Sequence, residues 1–277
     1  MRQLDVRLEA ALGTYNEECR WELIDGILTE CPDDVLEESM RLLHGHNERG
    51  RTLAADILGR LVGVEEGLEG QVVEALLTAL AIETATAARA SIVAALGHVG
   101  EPRALGRVYP LTDDPDAEVR LAVAFTVATI SPQPLAPEAR TVLIRLSRDT
   151  DPEVRDWATF GLGTLSDADG PDVRAALLAR ADDAHHEARA EALFGLAVRR
   201  DPRAVPHLIR ALQSPTVGGL EVDAAAAAAD PRLLPALWAL QQTGVTDQVR
   251  VRRAIAVNAI HGSTMASIVG VKVDFDI

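Results

Sequence analysis

The chain has 277 residues, 48% of them hydrophobic but only 3% aromatic, and a formal net charge of −15. That apolar content suffices for a large core, and so few aromatics favour helices packed through small side chains over sheets rich in Val, Tyr and Phe. The acidic balance argues against a nucleic-acid or anionic-membrane surface, and no apolar run approaches the roughly 18 residues of a membrane-crossing helix.

The N-terminal stretch MRQLDVRLEAALG is amphipathic and carries Asp5 and Glu9, unlike a signal peptide. With no CxxC and no membrane span, the expected location is cytoplasmic, and Cys19 and Cys31 are expected to be reduced thiols. Charge is uneven along the chain. Residues 1–83 hold 18 acids and 7 arginines, whereas the rest is close to balanced.

From residue 20 onward one phrase recurs. Aligned on Arg20, Arg51, Arg89, Arg120, Arg155 and Arg189, the third residue after each anchor is Leu23, Ala54, Ile92, Val123, Ala158 and Ala192. The seventh is Ile27, Leu58, Leu96, Val127, Leu162 and Leu196. The fourth is mostly apolar as well, so positions +3, +4 and +7 form one helical face. Position +6 is usually small, as in Gly26, Ala95, Gly161 and Gly195, which lets a neighbouring helix come close. Continuing the step places Asp223 at the anchor of the next repeat, with Asp230 at its +7 position, and Arg253 at the anchor of the last.

Between these helices lies a second phrase, EPRALGRV at 101, DPRAVPHL at 201 and DPRLLPAL at 230. An acid followed by Pro starts a helix, because the carboxylate caps free N–H groups and Pro fits the first turn. Each repeat therefore reads as helix, short turn, helix, and since one pair cannot bury its apolar face the pairs must stack. The VDAAAAAAD stretch at 222–230 departs from the pattern and predicts a shortened helix and a break in any ladder of ion pairs. After Gly262 the helical period ends, and Val271, Val273, Phe275 and Ile277 alternate with polar residues, so residues 262–277 read as a non-repeat tail after a single solenoid over 1–261.

The phrases DPEVRDWATFGLG, DAEVRLAVAF and DPRAVPHLIRAL resemble the HEAT-repeat family, in particular the short HEAT-like repeats of phycobilisome (bilin) lyases, over about residues 14–261. The resemblance implies an all-α fold, a right-handed α-α superhelix of about seven or eight helix pairs, whose second helices line a concave groove. It implies a scaffold or adaptor binding a protein or peptide. The alternatives are a bilin-lyase-like protein holding a tetrapyrrole and, against the acidic balance, a DNA glycosylase.

The anchors Arg20, Arg51, Arg89, Arg120, Arg155, Arg189 and Arg253 are expected to pair with acidic caps of neighbouring repeats. Candidate partner contacts in the groove are Arg145, Arg174, Arg203, Arg210 and Arg232, on the more basic second helices, with Tyr109 and Trp238 at equivalent positions of their phrases. No P-loop or nucleophile elbow occurs, and HGH at 44–46 and HHE at 185–187 lack metal-site spacing. No catalytic residue, metal or cofactor is expected.

Overall fold

The computed structural model describes residues 3–14, 16–30, 34–244 and 246–269, with side chains in all of these except 17, 30 and 261–269. The described residues form α-helices, short 3-10 turns and loops, with no strand among them. The helices are α1 (Gln3–Gly13), α2 (Glu17–Glu30), α3 (Val35–Leu43), α4 (Glu48–Leu61), α5 (Glu69–Leu80), α6 (Thr86–Val99), α7 (Leu105–Val108) and α8 (Ala117–Ile130). They continue as α9 (Pro137–Leu146), α10 (Pro152–Gly163), α11 (Pro171–Arg180), α12 (His186–Val198), α13 (Ala204–Leu212), α14 (Gly219–Ala228), α15 (Leu234–Thr243) and α16 (Gln248–Val269).

Two compact units divide the chain. One comprises Met1–Pro132 with Ala136–Val142; the other comprises Gln133–Leu135 with Leu143–Ile277. In the first, the anchor helices α4, α6 and α8 pack in direct succession, and in the second α10, α12, α14 and α16 do the same. Each intervening helix sits mainly on the anchor helix that follows it: α3 on α4, α5 on α6, α11 on α12, α13 on α14 and α15 on α16. The packed pair is thus second helix plus next anchor, a frame shifted from the helix-turn-helix phrase of the sequence.

The helix starts follow the capping logic. Asn47, Asp116 and Asp151 accept backbone N–H bonds from the first turns of α4, α8 and α10. Asp201 and Asp230, the acids of two DPR phrases, accept the N–H of the arginine two residues on. The core is the predicted apolar face: Ile24, Ile27, Ala54, Leu58, Ile92, Leu96, Val123, Val127, Ala158, Leu162, Ala192 and Leu196 are all buried.

The last two repeats correct the register. Every earlier anchor arginine lies four residues after its helix cap, and the same position is Val222 in α14, capped at Gly218, and Val251 in α16, where Asp247 accepts the N–H of Val249. Both valines are buried. Asp223 and Arg253 sit one and two residues off the anchor, Arg253 is exposed, and Asp223 pairs with Arg250 instead. Asp230 is not a failed core position; it lies beyond the helix and caps the next turn. α14 is indeed short, at 10 residues against 14 for α8. At the C-terminus α16 continues to Val269, past the boundary read at 262, while residues 270–277 and Cys31 lie outside the described residues. Cys19 is an exposed thiol.

Candidate functional site

A ladder of arginines holds the framework on which any site must rest. Arg51, Arg89, Arg120, Arg155 and Arg189 each donate to the backbone carbonyl six residues earlier, at Gly45, Glu83, Asp114, Asp149 and Asp183. Arg51, Arg89 and Arg155 also reach the next repeat: Arg51 to Glu83 at 2.6 Å, Arg89 to Asp114 at 2.7 Å, and Arg155 to Asp183 by a fork of two 2.9 Å bonds. The acceptor is not the cap itself, as expected from the sequence, but the residue two before it. Its carboxylate simultaneously accepts the N–H of the cap residue, as in Glu83 to Ala85, Asp114 to Asp116 and Asp183 to His185. Burial alone would raise Asp183, but the Arg155 fork and the His185 N–H outweigh it and hold its carboxyl below the ordinary range. Arg20 makes a looser 3.4 Å contact with Asp56.

Small residues set the spacing of the anchor helices. A Cβ on Gly59 would stand 2.9 Å from the Ala95 Cα, one on Gly97 would stand 2.8 Å from the Thr126 hydroxyl, and one on Gly195 would stand 2.6 Å from the Gly163 Cα. In each case the residue eight after one anchor meets the residue six after the next. Position +6 was legible as small; its +8 partner was not. The anchor helices therefore pack directly on one another, whereas the intervening helices sit mainly on the anchor helix that follows each.

The anchor row exposes a distinctive face in the C-terminal unit. Trp157 and Phe160 on α10 stand edge to face with centroids 5.6 Å apart, and Phe194 occupies the position of Phe160 on α12. All three are half-buried, flanked by the exposed Leu165 and Val198. Beside them lie two carboxylates, Asp156 and Glu191. Burial pushes Asp156 up to about 6, opposed by His185 and assisted by Glu153 and Glu187. Burial also raises Glu191, with a smaller upward push from Asp156, although the Thr164 hydroxyl donates to it. One Asp156 oxygen is buried without a hydrogen-bond partner.

Next to this face is an open recess of about 780 Å³, lined among others by Gln133, Thr164, Leu165, Phe194, Val198 and Arg199. Arg199 forms its floor. Its guanidinium donates to five carbonyls, those of Leu162, Gly163, Ser166, Ala168 and Gly195, at 2.7–3.0 Å. These include the last carbonyls of α10, where a cation meets the negative end of the helix dipole. Burial lowers the Arg199 pKa from its ordinary value. Sequence reasoning passed over this residue because no other anchor helix carries an arginine ten positions after its anchor.

The arginines singled out from the sequence are held locally. Arg174 bonds Asp169 at 2.6 Å and the Arg199 carbonyl, and it shares Asp201 with Arg203, which grips that carboxylate through two bonds of 2.9 and 2.6 Å. Arg232 does the same to Asp230, and Arg210 pairs with Asp182 beside His207. Only Arg174 and Arg203 are brought together. Arg145 is exposed on α9 and also engaged in an interaction. Trp238 is 44% exposed on α15, whereas Tyr109 is half-buried, which raises its phenol pKa. Among the described residues no cluster of three metal-ligating side chains occurs, and no helix is long and apolar enough to cross a membrane.

Comparison with known proteins follows the same lines. The family model described as HEAT repeats matches residues 73–163 and 107–192, and that of the PBS lyase HEAT-like repeat matches 188–214. The chain belongs to the HEAT-repeat family. Protein YibA of Escherichia coli is 33% identical over 124 residues, covering 45% of this chain and 42% of YibA, so the matched region spans under half the length of that curated relative. The X-ray structure of E. coli YibA superposes with a TM-score of 0.72 at 23% identity, covering 94% of this HEAT-repeat chain and 93% of that one. The S. pombe condensin Cnd3-Cnd2 subcomplex gives 0.57 at 15% identity, over 96% of this chain and 37% of the other. At these identities the structural likeness speaks for the fold.

Proposed function

We propose that this HEAT-repeat chain is a binding scaffold for a protein or peptide, and that the contact surface of its C-terminal unit is the α10–α12 face rather than the arginines of the second helices. The observation that carries this reading is the row of half-buried aromatics, Trp157, Phe160 and Phe194, beside exposed Leu165 and Val198. In a chain with 3% aromatics, three on one face is a concentration that its own packing does not consume. The arginines, by contrast, spend their donors on nearby carboxylates and carbonyls, and their role in this reading is to stiffen the stack. Arg145, Arg210 and Trp238 remain exposed and would serve as peripheral contacts. The S. pombe relative is one member of a subcomplex, which accords with a scaffold of this fold serving protein partners.

The test is site-specific photocrosslinking in extracts of the source organism. A benzophenone amino acid at position 194 should give discrete protein adducts that disappear when Trp157 is changed to Ala, while the same probe at the exposed Ile82 gives none of them. Absence of any adduct specific to position 194 would remove this face from consideration. If instead a bilin mixed with the chain shows a shifted and sharpened visible absorbance, the tetrapyrrole reading takes over.

A further inference from the structure

Several carboxylates whose side chains are buried in this protein come with a built counter-charge. Glu83 has Arg51, Asp114 has Arg89, Asp183 has Arg155 and Arg180, Asp201 has Arg203 and Arg174, and Glu221 has His186. Asp156 and Glu191, half-buried on the anchor helices, differ. Among the described residues neither takes part in an ion pair, Glu191 is bonded to a neutral hydroxyl, and a buried oxygen of Asp156 accepts no bond. The neighbouring imidazole, His185, has its Nε2 facing Glu153 at 3.2 Å and Glu187 at 3.7 Å. Glu153, Glu187 and Asp156 thus share one imidazole, and Glu191 lies beside Asp156, so acids predominate here.

The two unmatched acids share their face with the aromatics. Asp156 lies four residues before Phe160 and next to Trp157, and Glu191 lies three before Phe194, so each carboxylate is on the same side of its helix as an aromatic ring. Thr164, at the end of α10, ties the two helices together through its bond to Glu191. A half-buried negative pair edged by π faces is the chemical complement of a lysine or arginine side chain, whose stem packs on rings while its head meets carboxylates.

We propose that the α10–α12 face recognises a basic side chain, presented between apolar residues by a segment of the partner protein, with Asp156 and Glu191 as counter-charge and Trp157 and Phe194 as flanking rings. This deepens the scaffold reading and rests on it. The partner segment is cationic and amphipathic, and it completes a charge pairing that the chain itself leaves open.

Fluorescence polarisation of the full chain with three labelled six-residue peptides tests this. Leucine alternates with arginine in one, with its neutral isostere citrulline in the second, and with glutamate in the third. The arginine peptide should bind saturably, and the other two should not. Asp156→Asn with Glu191→Gln should weaken it by about tenfold, as loss of a desolvated charge pair does, and Trp157→Leu by several-fold. Because the chain is strongly acidic, Glu65→Gln with Glu66→Gln serves as the control for its general field, and that pair should leave binding unchanged. The amide variants preserve shape and are checked for parental helical content by circular dichroism. The proposal is overturned if the arginine peptide does not bind saturably, if citrulline binds as well as arginine, or if the two double variants weaken binding equally. Crosslinks at position 194 that survive such a result would keep the scaffold and remove only the cation.

Discussion

Changing Arg199 to Met removes one guanidinium and leaves five carbonyls to find new donors. A hydrogen bond to a charged group contributes about 1.5–3 kcal/mol, so a literal sum would rival the whole stability of a domain and cannot be right. Two things reduce it. The recess above Arg199 is open, so water reaches some of the freed carbonyls, and the bonds share one donor group and do not add. The expected cost is that of breaking a half-buried charged network, about 3–4 kcal/mol, which in a chain of this size lowers Tm by about 10 °C. Met keeps the aliphatic stem and its packing, so the loss reports the guanidinium. Differential scanning calorimetry gives the shift, and hydrogen exchange should show selective deprotection across residues 163–169, whose carbonyls Arg199 gathers. Lysine has fewer donors and no planar fork, and should recover no more than half. If Arg199→Met melts within about 2 °C of the parent, the loop is held by its neighbours and the keystone assignment is wrong.

Three further outcomes are expected. Gly195→Leu must displace the Gly163 backbone, 2.6 Å from the new Cβ, and should cost about 1–3 kcal/mol or more by chemical denaturation; an unchanged midpoint would mean the helices are not in this register. Arg155→Lys forfeits the fork on Asp183 and should cost about 1–2 kcal/mol at neutral pH. Because Asp183 is held below its ordinary value, its pairing stabilises above about pH 4 and is lost as pH falls through the lowered folded value, so parent and variant should converge in acid; a deficit independent of pH would point to packing. Asp156 has the opposite sign: raised from 3.8 to about 6, its ionised form destabilises the fold as pH rises through that window. Asp156→Asn should therefore gain about 1–2 kcal/mol at pH 8, after discounting for partial exposure, and nothing below about pH 4, which urea melts across that range will show.

Much of the fold was legible because its strongest constraints are local. An arginine four residues after a cap, with apolar residues three and seven further on, fixes a helix start and its buried face without reference to the rest of the chain. Position +6 was legible as small for the same reason. What was not legible depends on pairing between repeats. The acidic acceptors lie six residues before an arginine, at Glu83, Asp114 and Asp183, a spacing visible in the sequence once the turn geometry is known. The glycines at 59, 97 and 163 fall eight after an anchor, but only the next helix reveals that +8 meets +6. In α14 and α16 the anchor arginine is replaced by a buried valine, so counting arginines slipped by one and two residues, where counting caps would not have.

The candidate site was harder to read for a reason the ion pairs make plain. A list of arginines on second helices suggests a basic surface, but a guanidinium two residues after an acid in a DPR phrase folds back on that acid and presents almost no net charge. In a chain whose repeats are tied by charge, a charged residue is first a structural part, and its presence says little about partners. The informative residues are those that the framework leaves unmatched. Asp156 and Glu191 stand in the anchor helices, where composition alone marks them as ordinary solvated acids; partial burial separates them from such acids, and the lack of a cation separates them from Glu83 or Asp183. Trp157, Phe160 and Phe194 stand on the anchor helices beside core positions yet are only half-buried, which the sequence pattern does not reveal. On the proposal that Asp156 and Glu191 receive a basic side chain, a homologue carrying an arginine within reach of Asp156 would be expected to have lost the cationic ligand.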